Sequence, residues 1–399
     1  MKLYEDVKSC ASCQSKKLTT LYDFGDSPLA GYFPKPGEVS EEYRIPMQLK
    51  RCVDCELVQV SPCVDDKLLF SDYRYLSRFA MSLHFEELSD WIVNKVETTE
   101  IRALEIGCND GTLLDKLRIK GMQVEGVDPA ANVANYAVSN GHKVYFDYFS
   151  DDFVVENGIQ DKYDLVISCN SFAHISEIRK VSKGVALTLK DDGLFIVEVQ
   201  AWPELVRFGT FDFVYHEHRY YYDLRSINNL LSQFNLFLID AELVKSHGNS
   251  YRLTFRKNAG EEISSKVIRS ENRLTIPQIR SGVKNFLGAI QETRLRLDAL
   301  ESENKRVIAF GASGRGNMIL GQLSRTDDIK SVFDESPERV DREMALTGIP
   351  IRDFRALIDS EYDACLILAW NHAQEIIEKW PHEGKLLLVP LPRLIECWS

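Results

Sequence analysis

The chain has 399 residues, is 44% hydrophobic and 27% charged, and carries a formal net charge of −12, which describes a globular protein with room for two or three domains. No apolar run approaches the roughly 18–20 residues of a membrane span, and the opening residues Met1-Lys-Leu-Tyr-Glu-Asp-Val-Lys8 have no apolar signal core. No basic block offers the clustered charge that nucleic-acid binding needs, so the expectation is a cytoplasmic protein with neither nucleic-acid nor membrane partners.

Residues 1–70 carry two short cysteine pairs, Cys10-Ala-Ser-Cys13 and Cys52-Val-Asp-Cys55, in a chain of nine cysteines. Two such knuckles put four thiolates on two tight turns, which suits tetrahedral zinc. Four cysteines leave no open coordination position, so the zinc would be structural. The alternatives are two unrelated thiol pairs or a redox pair, although neither pair opens a clear helix after a strand. Cys63 lies outside the pattern and reads as a small buried residue.

Residues 71–260 form the expected central domain, beginning with a helical connector to about residue 97. Strand candidates alternate with helical stretches: Arg102–Ile106, Gln123–Val127, Lys143–Phe146, Leu165–Ser168 and Leu194–Val199. Leu236–Val244 and Tyr251–Arg256 follow as a hairpin. Alternating strands and helices ending in a hairpin predict an α/β, doubly wound sheet with a partly antiparallel edge. Residues 261–304 are polar with helical spacing and read as one or two linking helices. A second α/β unit fills 305–399. It opens on Arg306-Val-Ile-Ala-Phe-Gly-Ala-Ser-Gly-Arg-Gly-Asn317, with later strands near Ser331–Asp334, Cys365–Ala369 and Leu386–Pro390.

Two segments carry the chemistry. In Ala103-Leu-Glu-Ile-Gly-Cys-Asn-Asp-Gly-Thr-Leu-Leu114, Gly107 and Gly111 flank a turn after an apolar strand, where glycine lets the backbone approach a ligand. The spacing is not that of the dinucleotide fingerprint; a nucleoside without a pyrophosphate needs less of a phosphate cradle. Glu105 belongs to the same motif. Asp128 ends the second strand, where an acid accepts from ribose hydroxyls. Asp147 ends the third, where a side chain can read an adenine amino group, and Asn170 ends the fourth. Each acid has the alternative of a helix cap. The second segment, Tyr215-His-Glu-His218, packs two imidazoles, a phenol and a carboxylate into four residues. Read as extended chain, it puts Tyr215 and Glu217 on one side and His216 and His218 on the other; read as a helix, it fans all four out.

The first segment resembles the class I S-adenosylmethionine methyltransferases. Taken with the cysteine knuckles, Asn109-Asp-Gly111, Asn170-Ser-Phe-Ala-His-Ile175, Glu198, Tyr215-His-Glu-His218, Ser246-His-Gly-Asn-Ser250, Gly311-Ala-Ser-Gly-Arg-Gly-Asn317 and Leu368-Ala-Trp-Asn371, the chain resembles the sugar C-methyltransferases acting on nucleotide-linked 4-keto deoxysugars. That resemblance implies a zinc domain, a central class I methyltransferase sheet, a C-terminal Rossmann-like domain and a monomer. It implies S-adenosylmethionine held by Glu105, Gly107, Asn109, Asp110, Gly111, Asp128, Asp147 and Asn170, and structural zinc on Cys10, Cys13, Cys52 and Cys55. It makes His218 the base at C3 of the sugar, since neutral histidine titrates near working pH. Glu217 would contact the sugar or orient the base, Tyr215 would donate to the C4 oxygen, and His174 matches a further active-site position. Tyr75 is the candidate aromatic hydroxyl from the connector, with Tyr73 as the alternative. Glu198, Asn249, Arg315 and Asn317 are the substrate-side candidates. The chain departs from the family at Asn249, where a second glycine is common, and at Arg315, where lysine is common. The C-terminal glycine loop could hold the substrate diphosphate on a helix N-terminus, or its glycines only permit tight packing. Asp334, placed like a ribose-binding acid, keeps open an NAD-dependent oxidoreductase; a non-catalytic scaffold is the third reading.

Overall fold

The computed structural model describes residues 3–38, 44–70, 76–96, 98, 100–246 and 248–399. Near the N-terminus the strands Leu18–Ser27, Ile45–Cys52 and Val58–Ser61 form an antiparallel sheet. Ile45, Met47 and Leu49 alternate inward along the middle strand and are fully buried, the period expected when one face meets a core. This sheet does not end at the domain boundary expected near residue 70. Tyr220 and Tyr221 add a fourth strand by pairing with Gln59 and Val58.

The central sheet has seven strands: Arg102–Ile106, Gln123–Val127, Lys143–Tyr145, Tyr163–Cys169, Leu189–Gln200, Leu236–Val244 and Ser250–Lys257. Numbered by appearance, their spatial order is 3-2-1-4-5-7-6, with the last strand inserted antiparallel between the fifth and sixth. The order reverses between the first and fourth strands, and a ligand crevice opens outside the carboxyl ends at such a switch point. Leu165, Val166 and Ile167 are all buried, as a parallel strand covered on both faces requires. This is the class I arrangement expected from the sequence.

The region 261–304 forms two helices, Glu261–Ile268 and Ile276–Ser302. Thr275 and Gln278 close a reciprocal cap at the start of the second, satisfying two otherwise orphaned N–H groups. Its Phe286, Ile290 and Leu297 are buried in one core with Met47 and Leu49 of the N-terminal sheet, Trp202 and Phe211 of the central domain, and Val332 and Leu366 beyond. The helix is therefore a shared wall as well as a linker. The C-terminal sheet has six strands, ordered Ile351–Asp353, Ile329–Asp334, Val307–Phe310, Ala364–Ile367, Leu386–Val389 and Ile395–Trp398. Only the last is antiparallel. The short first and last of these strands carry too little periodicity to be seen in the sequence. No helix among the described residues is long and apolar enough to cross a membrane.

Candidate active site

The four expected metal-ligand cysteines converge. Cys10 and Cys13 share a turn closed by Gln14 N–H to the Cys10 carbonyl, and Cys52 and Cys55 share one closed by Glu56 N–H to the Cys52 carbonyl. The four Sγ atoms all lie within 4.8 Å of one another, with Cys10–Cys55 at 3.4 Å and Cys13–Cys52 at 3.5 Å. Zinc–sulfur bonds of about 2.3 Å in a tetrahedron separate sulfurs by about 3.8 Å, so this donor set fits zinc. None of the four faces the cavity described next.

A cavity of about 710 Å³ opens at the carboxyl ends of the central strands. Its cofactor side is lined by Gly107, Asn109, Asp128, Asp147 and Asn170. Gly107 turns the chain at φ +76° directly after the first strand. Asp128 accepts from the backbone N–H of Asn109 (2.9 Å) and of Ala130 (2.8 Å). Burial pushes its carboxyl up, and those two N–H groups oppose the shift. Asp147 stands exposed at the rim and accepts from the Tyr148 N–H at 2.7 Å. A fixed acid beside an apolar floor of Ile106, Val127 and Phe149 fits a nucleoside, so these residues can hold S-adenosylmethionine.

Three other cofactor candidates stand behind this wall. Glu105 is buried within the sheet with Oε2 unpartnered, and burial, then the charges of Asp110 and Asp128, push its carboxyl well up. Asp110 is turned away and accepts from Arg78 N–H (2.9 Å), Arg78 Nε (3.2 Å) and Thr112. Gly111, at φ +79°, begins the helix Thr112–Ile119 and packs against Ala137. These residues shape the turn without lining the cavity.

The opposite side of the cavity is lined from one tight turn. His218 N–H donates to the Tyr215 carbonyl at 3.0 Å, so Tyr215–His218 is a turn, neither the extended chain nor the regular helix weighed from the sequence. A turn sends its first and last side chains one way and its middle pair the other. Tyr215 and His218 accordingly face the cavity, while His216 and Glu217 point into the N-terminal domain. Burial lowers the His216 pKa to about 4, leaving it neutral against the Pro46 carbonyl at 3.3 Å.

His218 is oriented at both nitrogens. Nδ1 lies 3.0 Å from the Phe213 carbonyl, which can only accept, so Nδ1 carries the proton of the neutral ring. Nε2 is then the acceptor, and the Tyr215 hydroxyl donates to it at 2.7 Å. The two rings lie 3.9 Å apart, and His174 meets His218 edge-on at 4.7 Å. His174 ends the short helical turn Phe172–His174 after the fourth strand and also lines the cavity. Tyr75 and Tyr73 lie outside the described residues.

Among the described residues, Arg315 is the only lysine or arginine on the cavity wall. It reaches in from the C-terminal domain, packed over Phe213 (3.9 Å) and Trp370 (4.8 Å). Its Nε donates to Asp212 Oδ2 at 2.8 Å, which also accepts from Trp370 Nε1 at 2.8 Å. Burial pushes the Asp212 carboxyl up against the opposing pull of Arg315 and Trp370.

The remaining substrate candidates are placed elsewhere. Glu198 is buried off the cavity between Arg252 Nε (3.1 Å) and His84 Nε2 (2.5 Å). Burial opposes its ionisation, but His84 and Arg252 hold its carboxyl below the usual range. Asn249 adopts φ +79° in a turn and donates to Glu204 at 3.4 Å. Asn317 is buried and holds backbone: it donates to the carbonyls of Ala30 and Tyr32 and accepts from Ala345 N–H. In the same loop, a Cβ on Gly314 would meet Ala30 at 3.2 Å, so this glycine serves close packing. Asp334 is engaged by Ser336 N–H at 2.8 Å and by Arg339 at 3.6 Å. Asp212, the Phe213 carbonyl and Gly31 were not visible as site residues, because each acts through a contact more than a hundred residues away or through backbone.

Family models match three successive parts of the chain. Residues 10–70 match a family described as a zinc binding domain, 75–241 a methyltransferase domain, and 245–392 a C-methyltransferase C-terminal domain. The C-methyltransferase NovU of Streptomyces niveus is 27% identical over 405 residues, covering 97% of this chain and 96% of that protein. A ubiquinone biosynthesis O-methyltransferase of Bradyrhizobium sp. (strain ORS 278) is 30% identical over 100 residues, 24% of this chain and 39% of its own. Among solved structures, magnesium protoporphyrin IX methyltransferase of Synechocystis PCC 6803 covers 45% of this chain and 81% of its own at 15% identity, with a TM-score of 0.35.

Proposed function

Because the chain belongs to the S-adenosylmethionine-dependent C-methyltransferases that join a zinc-binding domain, a methyltransferase domain and a dedicated C-terminal domain, we propose that it methylates C3 of a nucleotide-linked 4-keto deoxysugar. The observation that carries this reading is the orientation of His218. Its Nδ1 proton is committed to the Phe213 carbonyl, so Nε2 is the basic atom, and it shares one cavity with the nucleoside-side residues.

Carbon methylation needs a carbon nucleophile, and a C–H beside a ketone supplies one if a base takes the proton and the enolate oxygen is stabilised. His218 Nε2 is that base. The Phe213 carbonyl stabilises the imidazolium formed, since Nδ1–H already points at it. On substrate entry the Tyr215 hydroxyl exchanges its bond to Nε2 for one to the carbonyl oxygen at C4, where negative charge develops. His174 shields the far edge of the His218 ring and narrows its approach. S-adenosylmethionine, when bound, supplies the methyl group as the electrophile. Arg315 offers the cavity a positive charge, which suits an anionic diphosphate. The residues therefore bind, orient and move one proton, and alignment supplies much of the remaining acceleration.

The test is mass spectrometry of dTDP-, GDP- and CDP-linked 4-keto deoxysugars incubated with the protein and S-adenosylmethionine. A product heavier by one methyl group on C3 is expected. No methylated product in any of the three series, with S-adenosylmethionine still bound, refutes the sugar reading and leaves the fold untouched.

A further inference from the structure

The middle of the catalytic turn makes a contact that the proton transfer does not use. The Glu217 side chain is buried, and its Oε1 accepts from the Gly31 backbone N–H at 2.7 Å. Gly31 lies in the N-terminal loop between the strands Leu18–Ser27 and Ile45–Cys52. A Cβ on Gly31 would stand 3.1 Å from that same oxygen, so any larger residue crowds the carboxylate. The loop is gripped from its other side: Asn317 donates to the carbonyls of Ala30 (3.0 Å) and Tyr32 (3.3 Å), the residues flanking Gly31. Arg342 holds the Phe33 carbonyl at 2.9 Å, and Glu343 N–H holds that of Pro34 at 2.9 Å. The loop is thus a strap fixed to the C-terminal domain and tied through one hydrogen bond to the turn that carries Tyr215 and His218.

We propose that Glu217 is a positioning residue, which acts by docking the Tyr215–His218 turn on the Gly31 strap and so sets where His218 Nε2 stands in the cavity. Glu217 touches neither the cavity nor its contents; its partner is the strap. A rigid four-residue turn transmits a displacement of its middle to its ends, and misplacing a base by about 1 Å can cost about a hundredfold in rate. Asn317, by fixing the strap, belongs to the same device, which places one purpose of the C-terminal domain at the base itself. This inference rests on the proposed reaction for its rate measurement only.

The experiment uses the full zinc-loaded chain and four variants: Glu217→Leu, Glu217→Gln, Gly31→Ala, and Gly31→Ala with Glu217→Leu. Glu217→Leu severs the contact and is expected to lower kcat at least thirtyfold, with S-adenosylmethionine affinity and zinc content unchanged. Glu217→Gln keeps an acceptor oxygen without the charge and is expected to recover most of that loss. Gly31→Ala keeps the N–H but crowds Oε1 and is expected to lower kcat about tenfold, and the double variant to be no worse than Glu217→Leu alone, because both changes act on one contact. A carboxylate acting in chemistry predicts instead that Gln is as inactive as Leu, and that outcome overturns the proposal. Unchanged kcat in Gly31→Ala overturns it as well, and this variant answers the question if Glu217→Leu does not fold. NMR of histidine labelled at Cε1 supplies a readout that needs no substrate. The His218 signal and its titration midpoint should move in Gly31→Ala, while the signals of His84, His142 and His382, which lie away from the turn, stay. A fixed His218 signal refutes the positioning role whether or not the substrate has been identified; failure to methylate any sugar refutes only the reaction.

Discussion

Replacing Gly107 by alanine tests whether the turn after the first central strand is a cradle that must stay bare. Gly107 sits at φ +76°, and a residue with a Cβ loses about 1–2 kcal/mol in that left-handed region. The added Cβ would also stand 2.5 Å from Ser171 Cβ and 2.9 Å from Ser171 Oγ, against ordinary contacts of about 4 Å. Ser171 is not free to retreat, because its hydroxyl donates to the Ile106 carbonyl at 2.6 Å and pairs with Ser168 Oγ at 2.7 Å. Giving up one of those buried bonds costs about 1–3 kcal/mol. The total is about 2–5 kcal/mol, and since Ile106 and Gly107 line the cavity, part of it falls on the ligand-ready geometry. Gly107→Ala should weaken S-adenosylmethionine binding at least tenfold in calorimetric titration, a change of about 1.4 kcal/mol, and lower the urea midpoint. Adding Ser171→Gly should return the steric share and leave only the conformational 1–2 kcal/mol. A single variant with unchanged affinity and unchanged midpoint would refute both the steric argument and the cradle.

His218→Asn should abolish methyl transfer while the dissociation constant for S-adenosylmethionine stays within about twofold, measured by calorimetry; near-normal turnover would remove His218 as the base. Cys52→Ser should cut zinc content below one per chain, measured by atomic absorption, and expose Ile45–Cys52 and Tyr220–Tyr221 together in hydrogen exchange, because those segments share one sheet. Asp212→Ala strips the buried partner from Arg315 and should lower stability by about 3–5 kcal/mol in urea denaturation. Glu271 tests the sign of a titration: burial pushes its carboxyl from 4.5 to about 7. The folded state therefore binds the proton more tightly than the unfolded chain does. That stabilisation is full below about pH 4.5 and is lost as pH rises toward 7, by up to about 3 kcal/mol. Glu271→Gln should flatten this part of the stability curve, and an unchanged slope would contradict the assignment.

What the sequence made legible follows the range of the interactions involved. Gln123–Val127 and Leu236–Val244 appear with their expected bounds, because their patterns are local. The convergence of the cysteines was also readable, since ligand spacing encodes it. The inserted seventh strand, by contrast, depends on pairings between Ser250–Lys257 and Leu194–Gln200, which no local pattern specifies. Side-chain direction was the weakest link. Neither extended alternation nor a helical fan pairs Tyr215 with His218; a single i to i+3 hydrogen bond does. The same limit applies to Glu198, whose acidity and position suggested substrate. Its partners Arg252 and His84 stand 54 and 114 residues away, so sequence proximity could not announce the ion pairs that engage it.

The geometry also explains why so small a turn has three domains around it. A four-residue turn presents two side chains to the cavity only by turning two others away, and here those two are an imidazole and a carboxylate. Left in water they would anchor nothing; left in a purely apolar core they would carry heavy desolvation costs. The N-terminal domain meets one polar atom of each with backbone: the Pro46 carbonyl for His216 Nε2 and the Gly31 N–H for Glu217 Oε1. It also extends its sheet across Tyr220–Tyr221, immediately after the turn. From the other side, Arg315 packs on the Phe213 ring while the Phe213 carbonyl fixes His218 Nδ1. His218 is thus held at one end by a residue that the C-terminal domain clamps and at the other by a strap that the same domain grips. Loss of zinc should therefore reach His218 through the shared sheet and the strap, although the four cysteines lie outside the cavity.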